Sequence, residues 1–453
     1  MRISAALKIR QRTPLSEKIL FAILLVGPIL ACLLFGAVDS GTWALISVVA
    51  FFGTLLWAYN VWKSGEFSVY RTPLIYPFAA FFLLGVLQIA AGTTLDPYAT
   101  RLFTFRLGVY LLFFLAALAV ITTPARLTFT RIVIVLFGGI LAFGSILQRM
   151  AAIEPIFGIR ETPQAIPFGP FVNQHHFAAF MVMVCGLAFG VIFDRRAESN
   201  RKVVNIGVAA VCGSALLMTM SRGAWLAASV TLLVVLAATY ATRDRKHSAA
   251  GRRRLLVPIL SAVILIGATL GLALFLGGDD LNLSLAGHGS DAEGFSSGRT
   301  HFWAVAMQVF AAHPIAGAGL DSFAVAFTKF DTWDGRFRIE RAHNDYLQVL
   351  ADGGVIGFLC LASFIAILFR KGVENIRFAS TEHRSVAIGA FAGCVGVLVH
   401  SFVDFPLRTP SNAFFFLLLV VLAVVRTDSG DHFGGGSTVT SASAEPHGRL
   451  NFM

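Results

Sequence analysis

Twelve stretches of this chain are apolar enough to be read as membrane-spanning helices, and no other feature constrains the fold as tightly. They lie near residues 19–38, 42–62, 74–91, 102–121, 132–148, 177–193, 203–220, 224–241, 255–276, 346–369, 386–402 and 412–425. A run of about 20 apolar residues crosses a bilayer as a helix, because a helix satisfies its backbone polar groups internally where no water can. Composition agrees: 56% of the residues are hydrophobic and 13% are charged, against roughly 25% charged in soluble proteins. That balance excludes a soluble enzyme, a disordered chain and a secreted disulfide scaffold. The segment at 412–425 is short for a span. No internal repeat is visible, which weakens a transporter built from duplicated halves.

The formal net charge is +11. In a soluble chain this would raise nucleic-acid binding. Here the basic residues sit mostly in short loops between apolar runs, the pattern of membrane orientation, and no nucleic-acid partner is expected. If the N-terminus is cytoplasmic, alternation puts 25 of the 36 Lys and Arg residues on the inside, so both termini are expected there. Arg2, Lys8, Arg10 and Arg12 before the first apolar run resemble a signal peptide, but the run is of spanning length and reads as a retained helix. Cys32, Cys185, Cys212, Cys360 and Cys394 all fall in apolar runs and read as packing residues.

The expected fold is therefore all-α. A cytoplasmic segment, 1–18, leads into a transmembrane domain, 19–425, of about twelve helices, and a Gly/Ser/Thr-rich, disordered cytoplasmic tail, 426–453, follows. One loop breaks the rhythm. Residues 277–345 lie between the ninth and tenth spans on the outer face and are too long for a simple connection. Inside it, Phe302, Trp303, Val305, Val309 and Phe310 stand between Ser296–Ser297 and His313–Pro314, a helix with serine near its start and proline past its end. A second short helix is expected within 320–330. Together they predict a helical cap on the outer surface.

Several polar residues stand against the pattern. Arg222, in Met220-Ser221-Arg222-Gly223-Ala224, occupies a turn so short that its guanidinium must sit near the outer boundary; a snorkelling helix-end Arg is the plain alternative. Arg299 follows Ser296-Ser297-Gly298 at the start of the cap helix, where free N–H groups favour anions and a guanidinium fork adds two donors. His343, in Arg341-Ala342-His343-Asn344-Asp345-Tyr346, is poised just outside the tenth span to take a proton, or else serves as an interfacial residue capped by Asn344 and Asp345. Asn173 fits the start of the sixth span in Phe171-Val172-Asn173-Gln174-His175-His176-Phe177. Its His pair suits substrate contact or capping better than metal, since i,i+1 neighbours on a helix do not face one site. For His400-Ser401-Phe402-Val403-Asp404-Phe405-Pro406-Leu407-Arg408, an Asp404–Arg408 ion pair shaping the loop is the expectation. Asp279, Asp280, Asp291 and Glu293 could offer oxygen ligands to a divalent cation, but adjacent loop aspartates are more often solvated, and neither metal nor cofactor is expected.

These motifs, in this order over residues 170–410 and around one long outer loop, resemble the bacterial O-antigen ligase and polysaccharide polymerase superfamily. The carriers are Phe171 to Phe177, Ser221-Arg222-Gly223, Gly298-Arg299, His343 to Gln348 with Asp352-Gly353-Gly354, and His400 to Leu407. Asp352 stands where many members have Glu, and His175 where a more varied residue is usual; the first five spans resemble the family only in hydropathy. The resemblance implies a GT-C-like integral-membrane glycosyltransferase, metal-independent and inverting, in the bacterial inner membrane with its active site in the periplasm. Its donor would be a glycan on undecaprenyl diphosphate, and its acceptor a lipid A core sugar or another glycan chain. The resemblance puts Arg222, Arg299 and His343 in the catalytic role, and we add Asn173, His176 and Asn344 as substrate contacts. A lipid-linked glycan flippase or a scaffold for glycan assembly are the alternatives from other classes; a polymerase is the nearest alternative within the family.

Overall fold

The computed structural model describes residues 14–65, 67–153, 155–162, 165–242, 298–333, 338–427 and 432–433. In chain order the helices are Leu15–Leu33 (α1), Ser40–Ser64 (α2), Ile75–Ala90 (α3), Pro97–Val120 (α4), Pro124–Met150 (α5), Gln174–Ile192 (α6), Ser199–Met218 (α7) and Arg222–Ala241 (α8). There follow Arg299–Ala312 (α9), Phe323–Thr328 (α10), Asp345–Phe378 (α11), Thr381–His400 (α12) and Pro410–Val424 (α13). Among the described residues nine helices are long and apolar enough to cross a membrane, and α3 and α13 are shorter apolar helices. The protein is an all-α polytopic membrane protein. Strand is confined to a two-residue antiparallel pairing of Val69–Tyr70 with His432–Phe433.

Eleven of the twelve apolar segments are thus helices. The ninth, 255–276, lies outside the described residues, as do the basic N-terminal residues, the acidic positions at 279–293 and almost all of the tail. Helix starts follow capping chemistry. Asp96 accepts from the Ala99 N–H at 3.0 Å, Thr123 stands before Pro124 at the first helical position, and Ser221 caps α8. Gly65, at φ 69°, closes α2 in the left-handed region. Because α5 begins at Pro124, Arg131 is not in a loop: it is a helix residue, 5% exposed, with Nη1 3.4 Å from Asn205 Oδ1.

The centre of the bundle is α13. Every residue from Pro410 to Val424 is buried, so a helix apolar all round is enclosed by protein, and its shortness reflects burial in the bundle. Beside it α6 and α12 cross at backbone contact. A Cβ on Gly186 would lie 2.8 Å from Gly393 Cα, and one on Gly190 2.4 Å from Ser385 O. Small residues let two helices approach this closely. By contrast α2 presents Leu45, Val48, Phe51, Phe52 and Leu55 outward, as a lipid-facing helix does.

The cap forms its own small core. Phe302, Val305 and Val309 of α9 pack with Phe323, Ala326 and Phe327 of α10 and with Ala342 and Ala351. It is stitched into a break in α11. Gly354, at φ 60° and ψ −161°, interrupts the helix. Its freed groups are satisfied by the cap: Val355 and Ile356 N–H donate to Pro314 O (2.8 Å) and Ile315 O (3.2 Å), while Ala318 and Gly319 N–H donate to Ala351 O (2.9 Å) and Asp352 O (3.0 Å). The Gln88 side chain joins them, donating to Ala316 O and accepting from Leu320 N. Irregular backbone of this kind is tolerated at membrane depth only where protein supplies the partners.

Candidate functional site

The ends of α6, α8, α11, α12 and α13 meet the cap on one face. Asp345 N–H donates to Ser401 O (2.9 Å), Ser401 Oγ donates to the Asp345 carboxylate (2.9 Å), and Tyr346 OH donates to Leu398 O (2.7 Å), joining the start of α11 to the end of α12. At the start of α8 a Cβ on Gly223 would lie 3.2 Å from His400 Cδ2 and 2.5 Å from the Val403 side chain, so the Ser221-Arg222-Gly223 turn packs on the turn after α12. Thr409 Oγ1 and His176 Nδ1 are 2.7 Å apart, and Asn412 Nδ2 donates to His176 O, which ties α6 to α13.

At the middle of this face sits Asp404, 1% exposed. Its Oδ1 accepts from Phe405 N–H at 2.9 Å and lies 3.6 Å from His343 Nδ1, an ion-pair distance just beyond hydrogen bonding. His175, His176 and His400 also surround it. Burial pushes the Asp404 carboxyl up, but His343 and the other three rings outweigh burial and hold it well below the ordinary carboxylate range. Arg299 acts electrostatically on His175 and His400.

The segments that carry the three expected catalytic residues belong to this face. Arg222 is exposed at the first position of α8, after Met220 in the left-handed region (φ 52°). Arg299 opens α9, and Gly298 before it has φ 75°; a Cβ there would be 2.7 Å from Trp333 Cη2. His343 is also left-handed, φ 49°, with its ring 4.8 Å from Phe405 and 5.8 Å from Phe302. Left-handed backbone at a non-glycine residue is costly and gathers at functional sites.

The three expected substrate contacts are engaged within the protein. Asn173 Oδ1 accepts from His175 N–H (2.8 Å), and Asn344 Oδ1 accepts from Tyr346 and Leu347 N–H (3.0 and 3.1 Å), so both cap helices. His176 is 7% exposed and packs on Thr409 and Phe405. Of the pair, His175 is the one left half-buried.

One expectation is corrected. Arg408 does not pair with Asp404. The short 3-10 turn Pro406–Arg408 carries its guanidinium toward the cap, where it meets Asp321 Oδ1 (2.7 Å), Asp352 Oδ2 (3.3 Å) and, at 4.0 Å, Asp345 Oδ1. Arg341 also binds Asp321, and Gln348 donates to Asp352 (3.0 Å). Sequence reasoning named His400 and Asp404 only as parts of a loop motif and did not place them beside His343, and it missed the Arg408 network. The available signal was a His and an Asp four apart at the end of a span. Among the described residues no group of His, Cys, Asp and Glu is arranged to hold a metal.

A cavity of about 490 Å³ opens beside the start of α6, lined by Ser145, Gln148, Arg149, Glu161, Thr162 and Phe168 among others. None of Arg222, Arg299 and His343 lines it.

With this geometry in view, the family model described as O-antigen ligase matches residues 207–362. The chain carries an O-antigen ligase domain. The match covers Arg222, Arg299, His343 and the Asp352-Gly353-Gly354 break, and it supports membership of the O-antigen ligase superfamily, whose members are glycosyltransferase-like membrane enzymes that act on lipid-linked glycans and acceptors. The O-antigen ligase domain stops short of His400 and Asp404, which α12 and the following turn bring to it. A comparison with curated proteins finds no match.

Proposed function

We propose that the protein is an O-antigen ligase that moves a glycan from undecaprenyl diphosphate to a sugar hydroxyl, on lipid A core or on another glycan chain, at the periplasmic face of the inner membrane. The observation that carries this reading is the meeting of the Arg222 turn, the Arg299 helix start and His343 around one buried carboxylate, Asp404, on the cap face. Both termini are then cytoplasmic, as the charge bias requires.

The chemistry follows from these groups. The acceptor oxygen bonds to the anomeric carbon from the side opposite the leaving group, the bond from that carbon to the diphosphate breaks, and the diphosphate departs with the electron pair. Arg222 and Arg299 stabilise the charge that grows on it, by preorganised electrostatics without a metal. Asp404 beside Nδ1 favours the tautomer that carries its proton there, leaving His343 Nε2 to take the acceptor proton. His175, half-buried and close to Arg299, is the better substrate contact of its pair. Asn173 and Asn344 serve by fixing helix starts. A flippase is less well supported, because the polar groups gather at one face rather than along a path through both.

The test is transfer in vitro from a lipid-diphosphate glycan to two acceptors, lipid A core and a second donor molecule. Product length separates single ligation from repeated elongation by a polymerase, and added chelator tests metal independence. Arg222→Ala and Arg299→Ala should each cost about 100-fold or more in turnover at unchanged membrane level. Full activity in both variants would remove the catalytic assignment.

A further inference from the structure

Arg106 is an intramembrane cation on the core-facing stripe of α4, where Phe103, Leu107, Tyr110, Phe113 and Phe114 turn toward the bundle. Its guanidinium lies 5.6 Å from the Trp43 ring centroid, and its Nε is buried without a hydrogen-bond partner among the described residues. Among the described residues no carboxylate pairs with it. Four aspartates at this end of the bundle are committed elsewhere. Arg160 grips both oxygens of Asp39, Asp96 caps α4, and Asp321 and Asp352 belong to Arg408. A charge inside the membrane is costly enough that it keeps a partner or a function.

The height of Arg106 indicates what that partner is. Trp43 is near the cap-face end of α2, and its ring stacks at 6.3 Å on Phe414, near the same end of α13. Tyr110 closes the group, 5.6 Å from Trp43 and 5.0 Å from Phe414. That end of α2 is fixed to the cap face, since a Cβ on Gly36 in the preceding turn would meet Thr409 at 2.9 Å. The Arg106 guanidinium therefore lies near the level of Trp43, about one helical turn inside the start of α2, although its backbone is about two and a half turns into α4; an Arg side chain at this level reaches lipid phosphate. A guanidinium is the side chain best shaped to hold a phosphate by two hydrogen bonds, and the indole behind it screens the pair from water.

We infer that Arg106, set over Trp43 between α2 and α4, is a binding contact for a lipid-borne phosphate on the cap face. It rests on the membrane setting and on the cap-face geometry, not on transfer chemistry. The phosphate comes either from a bilayer phospholipid or from the polyprenyl donor.

The test is retention of added lipid by the purified full chain in detergent, measured by native mass spectrometry. The probes are dioleoylphosphatidylglycerol, a polyprenyl monophosphate and uncharged dioleoylglycerol. The wild-type chain should retain at least one phosphate lipid and not dioleoylglycerol. Arg106→Gln should retain it about tenfold more weakly. Arg106→Lys should fall between them, because it keeps the charge but loses the fork. Loss of phosphatidylglycerol alone identifies a bilayer headgroup, and loss of polyprenyl phosphate alone identifies the donor lipid; either supports the site. Equal retention of both phosphate lipids by wild type and both variants overturns it, as does equal retention of dioleoylglycerol. Because the readout is binding, a chain inactive in transfer that still shows Arg106-dependent retention keeps the site while removing the transferase reading.

Discussion

Arg408 is the most consequential single side chain in the cap-face structure, and removing it gives a quantitative test. Its side chain is 9% exposed. It holds Asp321 at 2.7 Å and Asp352 at 3.3 Å, stands 4.0 Å from Asp345, and lies 4.4 Å over the Phe103 ring. In Arg408→Leu, Asp321 keeps Arg341, but Asp352 is left with Gln348 and the Asp321 N–H as its remaining donors. Stripping one partner from a buried ion pair costs about 3–5 kcal/mol, because the stranded charge has lost its water as well as its mate. Loss of the cation over Phe103 adds about 0.5–2 kcal/mol. The expected destabilisation is thus roughly 3.5–7 kcal/mol, measured by equilibrium unfolding in mixed micelles. The cause is an uncompensated carboxylate, so Asp352→Asn in the Arg408→Leu background should recover about 1–3 kcal/mol, a coupling typical of neighbours in one network. Arg408→Leu costing less than about 1 kcal/mol, or no recovery in the double variant, would refute the reasoning.

Gly354→Ala should destabilise by at least about 1–3 kcal/mol from backbone strain alone. The new Cβ would also meet Ile315 O at 2.3 Å, and faster proteolysis between α10 and α11 is the accompanying readout. Asp404→Asn keeps the shape of the side chain but removes the charge beside His343 Nδ1; turnover should fall at least about 10-fold with little change in donor binding, measured as separate kcat and KM, and an unchanged kcat would count against the positioning role. The depressed Asp404 carboxyl also sets a pH dependence. Its folded value lies below the unfolded value of about 3.9, so its stabilisation is fully present above that pH and is lost as pH falls through the folded value. Acid unfolding of wild type should therefore steepen below about pH 4, and Asp404→Asn should flatten that limb.

How much of this was legible in the sequence depends on the range of the interaction. Hydropathy located eleven helices because lipid compatibility is a property of each segment by itself. The cap helix Arg299–Ala312 was legible for the same reason: serines before it and His313–Pro314 after it act locally. The Arg222 turn stood out because so short a polar interruption leaves its cation nowhere to go but the boundary. Hydropathy was silent on the break at Gly354, since an apolar run that bends at a glycine averages like one that does not; only the Gly353-Gly354 pair hinted at it. It also made α13 look doubtful, because length measures fitness to face lipid and this helix faces protein. The failure at Arg408 is of another kind. Asp404 is four residues away, the natural local partner, whereas Asp321 and Asp352 are 87 and 56 residues distant. A buried guanidinium goes to the carboxylates the fold brings to it, and a local pairing rule has no access to that choice. Once Arg408 is committed to the cap, Asp404 has no arginine partner among the described residues and turns to imidazoles, including that of His343. The mispaired loop and the unseen His343–Asp404 contact are therefore one error, and the long-range bonds that hold the cap to α11 also leave Asp404 facing His343.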